Sequence, residues 1–263
     1  MPKYLYHRQK NIVERVVRCY LTLNCNANCE YCSAGINEIT PERKKIWIPA
    51  EEWAEGINAK NRYTILAGGE PFLYPEFAKL YSMLNPTFKV EVYINLQADI
   101  SDFLALNNKR PSNFLVSLHP SVKDREVWND QVQELIKQGF PVRFHIVKSE
   151  GWEERRQFLI DKGYAGAQRI TCCDDQRVGV KSTNNLYQGQ VRCKHQIYLY
   201  GPDGYRYHCV KYMGLDVRQV DHISLKDDDS DNWTVRRCYL FGDCTGCDNN
   251  IIGSVEKIIN GQR

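Results

Sequence analysis

The sequence predicts an α/β protein: a partial (β/α)6 barrel followed by a small, cysteine-rich C-terminal domain of β-hairpin and helix. Three observations carry this. Six short apolar runs alternate with helix-like runs through the first two thirds of the chain, the pattern of a parallel sheet with right-handed crossovers. The residues able to do chemistry fall just after those runs, where parallel barrels place their sites. Beyond residue 192 the alternation stops, and cysteines and turn residues take its place.

The first strand-like run is Val16 to Leu23, and it leads into a loop with three cysteines. Pro41 and Pro49 break the next stretch, and a helix over Ala50 to Ile57 follows the second proline. Strand-like runs then recur at Tyr63 to Ala67, Val90 to Asn95, Phe114 to His119, Val142 to Val147 and Gln168 to Thr171. Helix-like runs lie between them at Pro75 to Leu84, Ile100 to Leu106, Asp124 to Gln138 and Trp152 to Lys162. Six strands in place of eight make the barrel partial. The predicted barrel is residues 13–175, after an N-terminal extension, 1–12, and before a polar linker, 176–192.

Alternation within the strands sorts their faces. Phe114, Val116 and Leu118 share one face of the fourth strand, while Leu115, Ser117 and His119 share the other. In the fifth strand Val142, Phe144 and Ile146 oppose Arg143, His145 and Val147. Helices cover the outside of a parallel barrel, so the apolar sets point outward and Ser117, His119, Arg143 and His145 face the lumen. Polar groups there need partners, either a hydrogen-bonded buried network or a ligand. His119, Arg143 and His145 are the candidate catalytic, substrate-facing residues.

The C-terminal domain, 193–263, opens with Cys193. Gln196 to Tyr200 and Tyr205 to Cys209 flank Pro202-Asp203-Gly204, which has the chemistry of a hairpin turn. An acidic segment, Asp227 to Asp231, precedes Cys238, Cys244 and Cys247, and a short helix is expected around Val255 to Ile259.

Composition narrows the function classes. The 35 basic residues barely outnumber the 32 acidic ones, a formal net charge of +3, so no general field draws the chain to nucleic acid. No aromatic-plus-basic patch argues for it either. No apolar run approaches the roughly 18 residues of a membrane span, and the N-terminus lacks a signal-peptide apolar region, so a cytoplasmic protein is expected. Eleven cysteines in such a compartment point to metal ligation rather than disulfides.

The loop Cys25-Asn26-Ala27-Asn28-Cys29-Glu30-Tyr31-Cys32 is the strongest signal. Thiolate is the soft ligand of iron–sulfur sites, and three ligands leave one iron of a cubane open. A structural zinc site is the alternative for an isolated loop of this kind. A second element, Gly68-Gly69-Glu70-Pro71, lies after the next strand. Together these motifs resemble the radical S-adenosylmethionine (SAM) superfamily, with its partial TIM-like barrel. The resemblance implies that Cys25, Cys29 and Cys32 hold a [4Fe–4S] cluster whose open iron binds SAM. Glu70 and the backbone of Gly68 and Gly69 would then receive the methionine amine, and Tyr31 would lie by the adenine. Asn95 and Ser117 become candidates for the ribose and carboxylate. The family usually has Asn-Gly at the end of the third strand, whereas Leu96 follows Asn95 in this chain.

Cys193, Cys209, Cys244 and Cys247 resemble the ligands of a twitch region, a shortened SPASM domain that holds one auxiliary [4Fe–4S] cluster. A Zn(Cys)4 site would use the same residues, and Cys238 could replace one of them or serve an extra site. By the resemblance, reductive cleavage of SAM gives methionine and a 5′-deoxyadenosyl radical, which takes hydrogen from the substrate. An auxiliary cluster suits a net oxidation or bond-forming reaction on a small polar molecule. The implied partners are that substrate and a reducing donor such as flavodoxin or ferredoxin. The alternatives are a peptide-modifying maturase, a nucleotide-modifying enzyme and a non-catalytic zinc-binding scaffold.

Overall fold

A computed structural model describes residues 16–32, 34–87, 89–106, 112–165, 169–174, 191–194, 197–207, 209–214, 225, 236–238 and 254–257. The expected N-terminal extension, the acidic segment at 227–231, and Cys244 and Cys247 lie outside the described residues.

Six parallel strands run in sequence order: β1 (Val16–Tyr20), β2 (Thr64–Ala67), β3 (Val90–Ile94), β4 (Ser112–Ser117), β5 (Val142–Lys148) and β6 (Ile170–Asp174). Crossover helices separate them, namely α1 (Pro41–Lys44) and α2 (Ala50–Lys60), α3 (Phe77–Met83), α4 (Ser101–Leu104), α5 (Arg125–Lys137) and α6 (Trp152–Leu159). This is the expected α/β architecture. Its mostly parallel sheet fits a partial barrel. Local chemistry supports the elements. Asp124 caps α5, accepting hydrogen bonds from the backbone N–H groups of Glu126 and Val127 at 3.0 Å each. Past α6 the helix widens into a π-turn, Ile160–Tyr164, and ends where Gly163 takes φ 83°.

Alternate strand residues divide between two cores. Val17, Cys19, Leu66, Val92, Phe114, Val116 and Phe144 pack outward against Trp53, Leu80, Tyr81, Trp128 and Val132 of the helices. Tyr20, Ile65 and Ala67 belong to a second cluster on the other face, together with Leu23, Ala34 and Ile36 from the cysteine loop and the turn after it. Burial of these apolar side chains, about 25 cal/mol per Å2, dominates the stabilisation of the sheet.

The sheet continues past the expected barrel. Strand β8 (Ile197–Tyr200) pairs in parallel with β1, with Cys19 opposite Tyr200, and β9 (Arg206–Tyr207) returns antiparallel to β8. The predicted hairpin exists, and it is hydrogen-bonded to the barrel although the sequence groups it with the C-terminal domain. Gly204 at φ 75° makes the turn, and Asp203 accepts from the Tyr207 hydroxyl at 2.7 Å. Helix α7 (Val210–Gly214) follows.

A separate sheet joins β7 (Val191–Lys194) to β10 (Arg236–Cys238) and β11 (Ser254–Lys257), both antiparallel to it. β7 therefore begins within the segment read as a linker. β11 corrects the expected terminal helix: Val255 lies opposite Cys193 in a ladder. A β-branched residue beside an available strand edge takes the extended form, and a segment this short has little helix stability of its own. Among the described residues no helix is long and apolar enough to cross a membrane.

Candidate active site

Parallel order brings the C-terminal ends of β1 to β5 side by side, and the loops leaving them build the site. The β1–β2 ladder does not stop with the strands. Leu21 N–H donates to Ala67 O at 2.9 Å, Gly69 N–H to Thr22 O at 2.9 Å, and Glu70 N–H to Asn24 O at 2.7 Å. These bonds fasten the cysteine loop to the Gly68-Gly69-Glu70 segment. Such a close approach needs glycine: a β-carbon on Gly69 would stand 2.9 Å from Cys25 Cβ.

The three thiols are half-buried on this loop. Cys25 Sγ accepts from Ala27 N–H at 3.4 Å and lies 3.8 Å from the Asn95 amide nitrogen. Burial pushes the Cys25 thiol up and the Cys29 thiol up to about 12. A metal reverses that preference, because it binds the thiolate and releases the proton. Among the described residues, no three His, Cys, Asp or Glu side chains stand close enough to hold one metal ion. The thiols of a cubane each take a different iron and stand wider apart. The donor set, all thiol and on one loop, fits a cluster.

Glu70 is fully buried beside the loop. Its carboxylate accepts from Phe72 N–H at 3.1 Å and Asn95 N–H at 2.6 Å, which leaves lone pairs on both oxygens. Burial lifts its pKa to about 7 against those two bonds. Asn95, at the end of β3, also donates to Asn26 Oδ1 at 2.9 Å and accepts from Gln97 N–H at 2.8 Å. Leu96 takes φ 54°, a left-handed conformation that favours glycine, which accounts for the usual Asn-Gly pair at this position.

Ser117 and His145 are paired across β4 and β5, and both are half-buried. His119 follows β4, its Nδ1 lying 3.2 Å from Cys29 Sγ and 2.8 Å from the Tyr31 hydroxyl. The Tyr31 and His119 rings stack, with centroids 5.9 Å apart. Burial lowers His119 to about 4 and also lowers His145, which favours the neutral imidazole at both positions.

The structure thus gathers Cys25, Cys29, Cys32, Tyr31, Gly68, Gly69, Glu70, Asn95 and His119 in one place. Arg143 is not among them. It is the second residue of β5, near the N-terminal end of the barrel, and it forms an ion pair there with buried Glu91, which also accepts from the Tyr63 hydroxyl. Cys209 immediately precedes α7, while Cys193 is placed by its strand register alone. Sequence reasoning passed over Asn26, Ser149 and Arg155. Ser149 directly follows β5, a strand-end position. Arg155 shares a helix face with Leu159, four residues on, and that phase was the available signal.

A parallel barrel whose strand ends carry a three-thiol loop, a close-packed Gly-Gly-Glu segment and a buried carboxylate defines a cluster-bearing barrel enzyme. The chain belongs to the Radical SAM superfamily, whose family model matches residues 19–159. It is an enzyme of that superfamily, with a [4Fe–4S] cluster and SAM as its cofactors.

Among curated proteins none matches the chain. Among solved structures, anSMEcpe with bound AdoMet and Kp18Cys peptide is similar at TM-score 0.55 and 11% identity, covering 81% of this chain and 78% of that one. The same protein with a Cp18Cys peptide gives TM-score 0.51 at 13% identity, covering 88% of each chain. BtrN in complex with AdoMet and 2-DOIA gives TM-score 0.42 at 13% identity over 76% of this chain and 75% of that one. At these identities the anSMEcpe likeness speaks to fold.

Proposed function

We propose that this enzyme takes a hydrogen atom from a small polar substrate, in a net oxidation or bond-forming reaction assisted by an auxiliary [4Fe–4S] cluster in a twitch-like C-terminal region. Support comes from one packing relationship. Helix α7, which follows Cys209, buries Val210 and Met213 against Ala34, two residues past Cys32. A β-carbon on Gly214 would stand 2.8 Å from Ala34 O, and Arg43 donates to Gly214 O at 2.7 Å. One candidate auxiliary ligand is thereby set beside the segment that carries the first three thiols.

Cys25, Cys29 and Cys32 would hold the first cluster, which when bound would supply the electron for reductive cleavage of SAM. Glu70 and the Gly68-Gly69 backbone would receive the methionine amine, since Glu70 retains lone pairs and is fixed by two N–H groups. Asn95 and Ser117 line the neighbouring strand ends. His119 and His145, neutral and half-buried, offer the substrate both donors and acceptors. Tyr31 holds the His119 ring in place. A reducing donor and a reducing compartment go with this chemistry.

The test is anaerobic reconstitution followed by turnover with dithionite and a panel of small polar metabolites. About eight irons per chain, and 5′-deoxyadenosine formed together with an oxidised product, are expected. His119→Ala and His145→Ala should each lose product while retaining iron. Only about four irons, or no product from any small metabolite, would count against the proposal. The anSMEcpe structure holds a peptide, and turnover dependent on peptide would move the assignment to a peptide-modifying enzyme.

A further inference from the structure

Arg155 is 2% exposed, yet no carboxylate among the described residues forms an ion pair with it. Its guanidinium donates to Glu150 O at 2.8 Å, to Val147 O at 3.3 Å and to Ser149 Oγ at 2.9 Å, and among the described residues its Nε has no hydrogen-bond partner. Burying a charge without a counter-ion is costly, and arginine cannot escape the cost by losing its proton. Glu153 acts on this charge electrostatically, but among the described residues no carboxylate pairs with it directly, so the buried guanidinium is left without a close counter-ion.

Polar groups lead from that charge to the cluster loop. Ser149 Oγ, which accepts from Arg155 at 2.9 Å, lies near enough to the Tyr31 hydroxyl to lower its pKa against the effect of burial. That hydroxyl meets His119 Nδ1 at 2.8 Å, and the same ring nitrogen lies 3.2 Å from Cys29 Sγ. Arg155 is also within electrostatic reach of both Cys29 and Tyr31. A [4Fe–4S] cluster on three thiolates carries net negative charge, which becomes more negative on reduction.

We infer that Arg155 is a positioning residue whose buried charge, linked through Ser149, Tyr31 and His119 to the Cys29 sulfur, stabilises the reduced SAM-binding cluster and raises its potential. Hydrogen bonding and nearby charge are established levers on cluster potential. The inference rests on the cluster of Cys25, Cys29 and Cys32, and not on the substrate or the C-terminal cysteines.

The experiment is a redox titration of the reconstituted full chain, following the electron paramagnetic resonance signal that responds to SAM. That response belongs to the cluster with the open iron. The wild-type signal and iron content check the cofactor assignment separately. Arg155→Met should lower the reduction equilibrium at least about tenfold, which is about 59 mV for one electron. Arg155→Lys, which keeps the charge, should recover most of the shift. Ser149→Asp neutralises the arginine in place without deleting it and should lower the potential in the same direction, so the idea stays testable if Arg155→Met fails to fold. An unchanged potential in Arg155→Met or Ser149→Asp, with iron retained, would overturn it.

Discussion

Gly69 lies so close to Asn24 that a β-carbon on the glycine would stand 2.0 Å from the Asn24 carbonyl oxygen. No rotamer relieves a clash with backbone, so Gly69→Ala must push the two segments apart. The bonds from Gly69 N–H to Thr22 O and from Glu70 N–H to Asn24 O would then lengthen. The variant should lose about 2–3 kcal/mol of stability, typical of overpacking, and retain less than half its iron after desalting. Gly68→Ala, where the nearest atom is Thr22 O at 2.8 Å, should be milder on both measures. Equal iron retention by wild type and Gly69→Ala would show that the loop tolerates separation.

Leu96 sets a second test, because it is buried yet holds φ 54°. In ordinary backbone, glycine is less stable than alanine by about 0.5–1 kcal/mol. A left-handed conformation costs an L-residue about 1–2 kcal/mol, which should reverse that order. Both Leu96→Ala and Leu96→Gly lose core packing, but Leu96→Gly should have the higher denaturant midpoint. Alanine matching or exceeding glycine would mean that the backbone relaxes when the side chain is cut.

Strand alternation made much of this site legible before any coordinates. The buried Phe114, Val116 and Phe144 point to the helices, and Ser117 and His145 share the opposite face. Face is all that a period of two can report, and depth along the strand is not encoded in it. Arg143 and His145 share a phase, but two residues of strand separate them by about 7 Å, enough to turn Arg143 toward Glu91 at the far end. The attachment of β8 to β1 was illegible for another reason, since it joins residues 181 positions apart through backbone bonds that leave no local pattern. Arg155 was obscured by its neighbour: Arg155 and Arg156 are consecutive, one buried and one exposed.

The two cysteine sets are separable by metal content. Cys244→Ala/Cys247→Ala should reduce iron from about eight to about four per chain and keep the SAM-responsive signal. Replacing Cys25, Cys29 and Cys32 with alanine should abolish that signal and 5′-deoxyadenosine formation while the other four irons remain. Undiminished iron in the double variant would remove the auxiliary cluster. About one zinc per chain, lost with Cys244 and Cys247, would assign those cysteines to a structural site.

Arg143 gives the last prediction, because its partner rather than its sequence defines its role. Glu91 is almost wholly buried, with 4% of its side chain exposed, while the Arg143 side chain is 48% exposed. Arg143→Met keeps the aliphatic stem but leaves the Glu91 carboxylate with the Tyr63 hydroxyl and no cation from β5. Removing one member of a fully buried pair costs about 3–5 kcal/mol. Half-exposure of the arginine reduces this, so a loss of about 1–3 kcal/mol is expected in denaturant unfolding. Glu91→Gln/Arg143→Met removes both charges and should recover part of the loss. SAM cleavage per bound cluster should be unchanged in both variants, since neither residue reaches the cysteine loop. Full stability with lost turnover in Arg143→Met would place this arginine at the substrate instead.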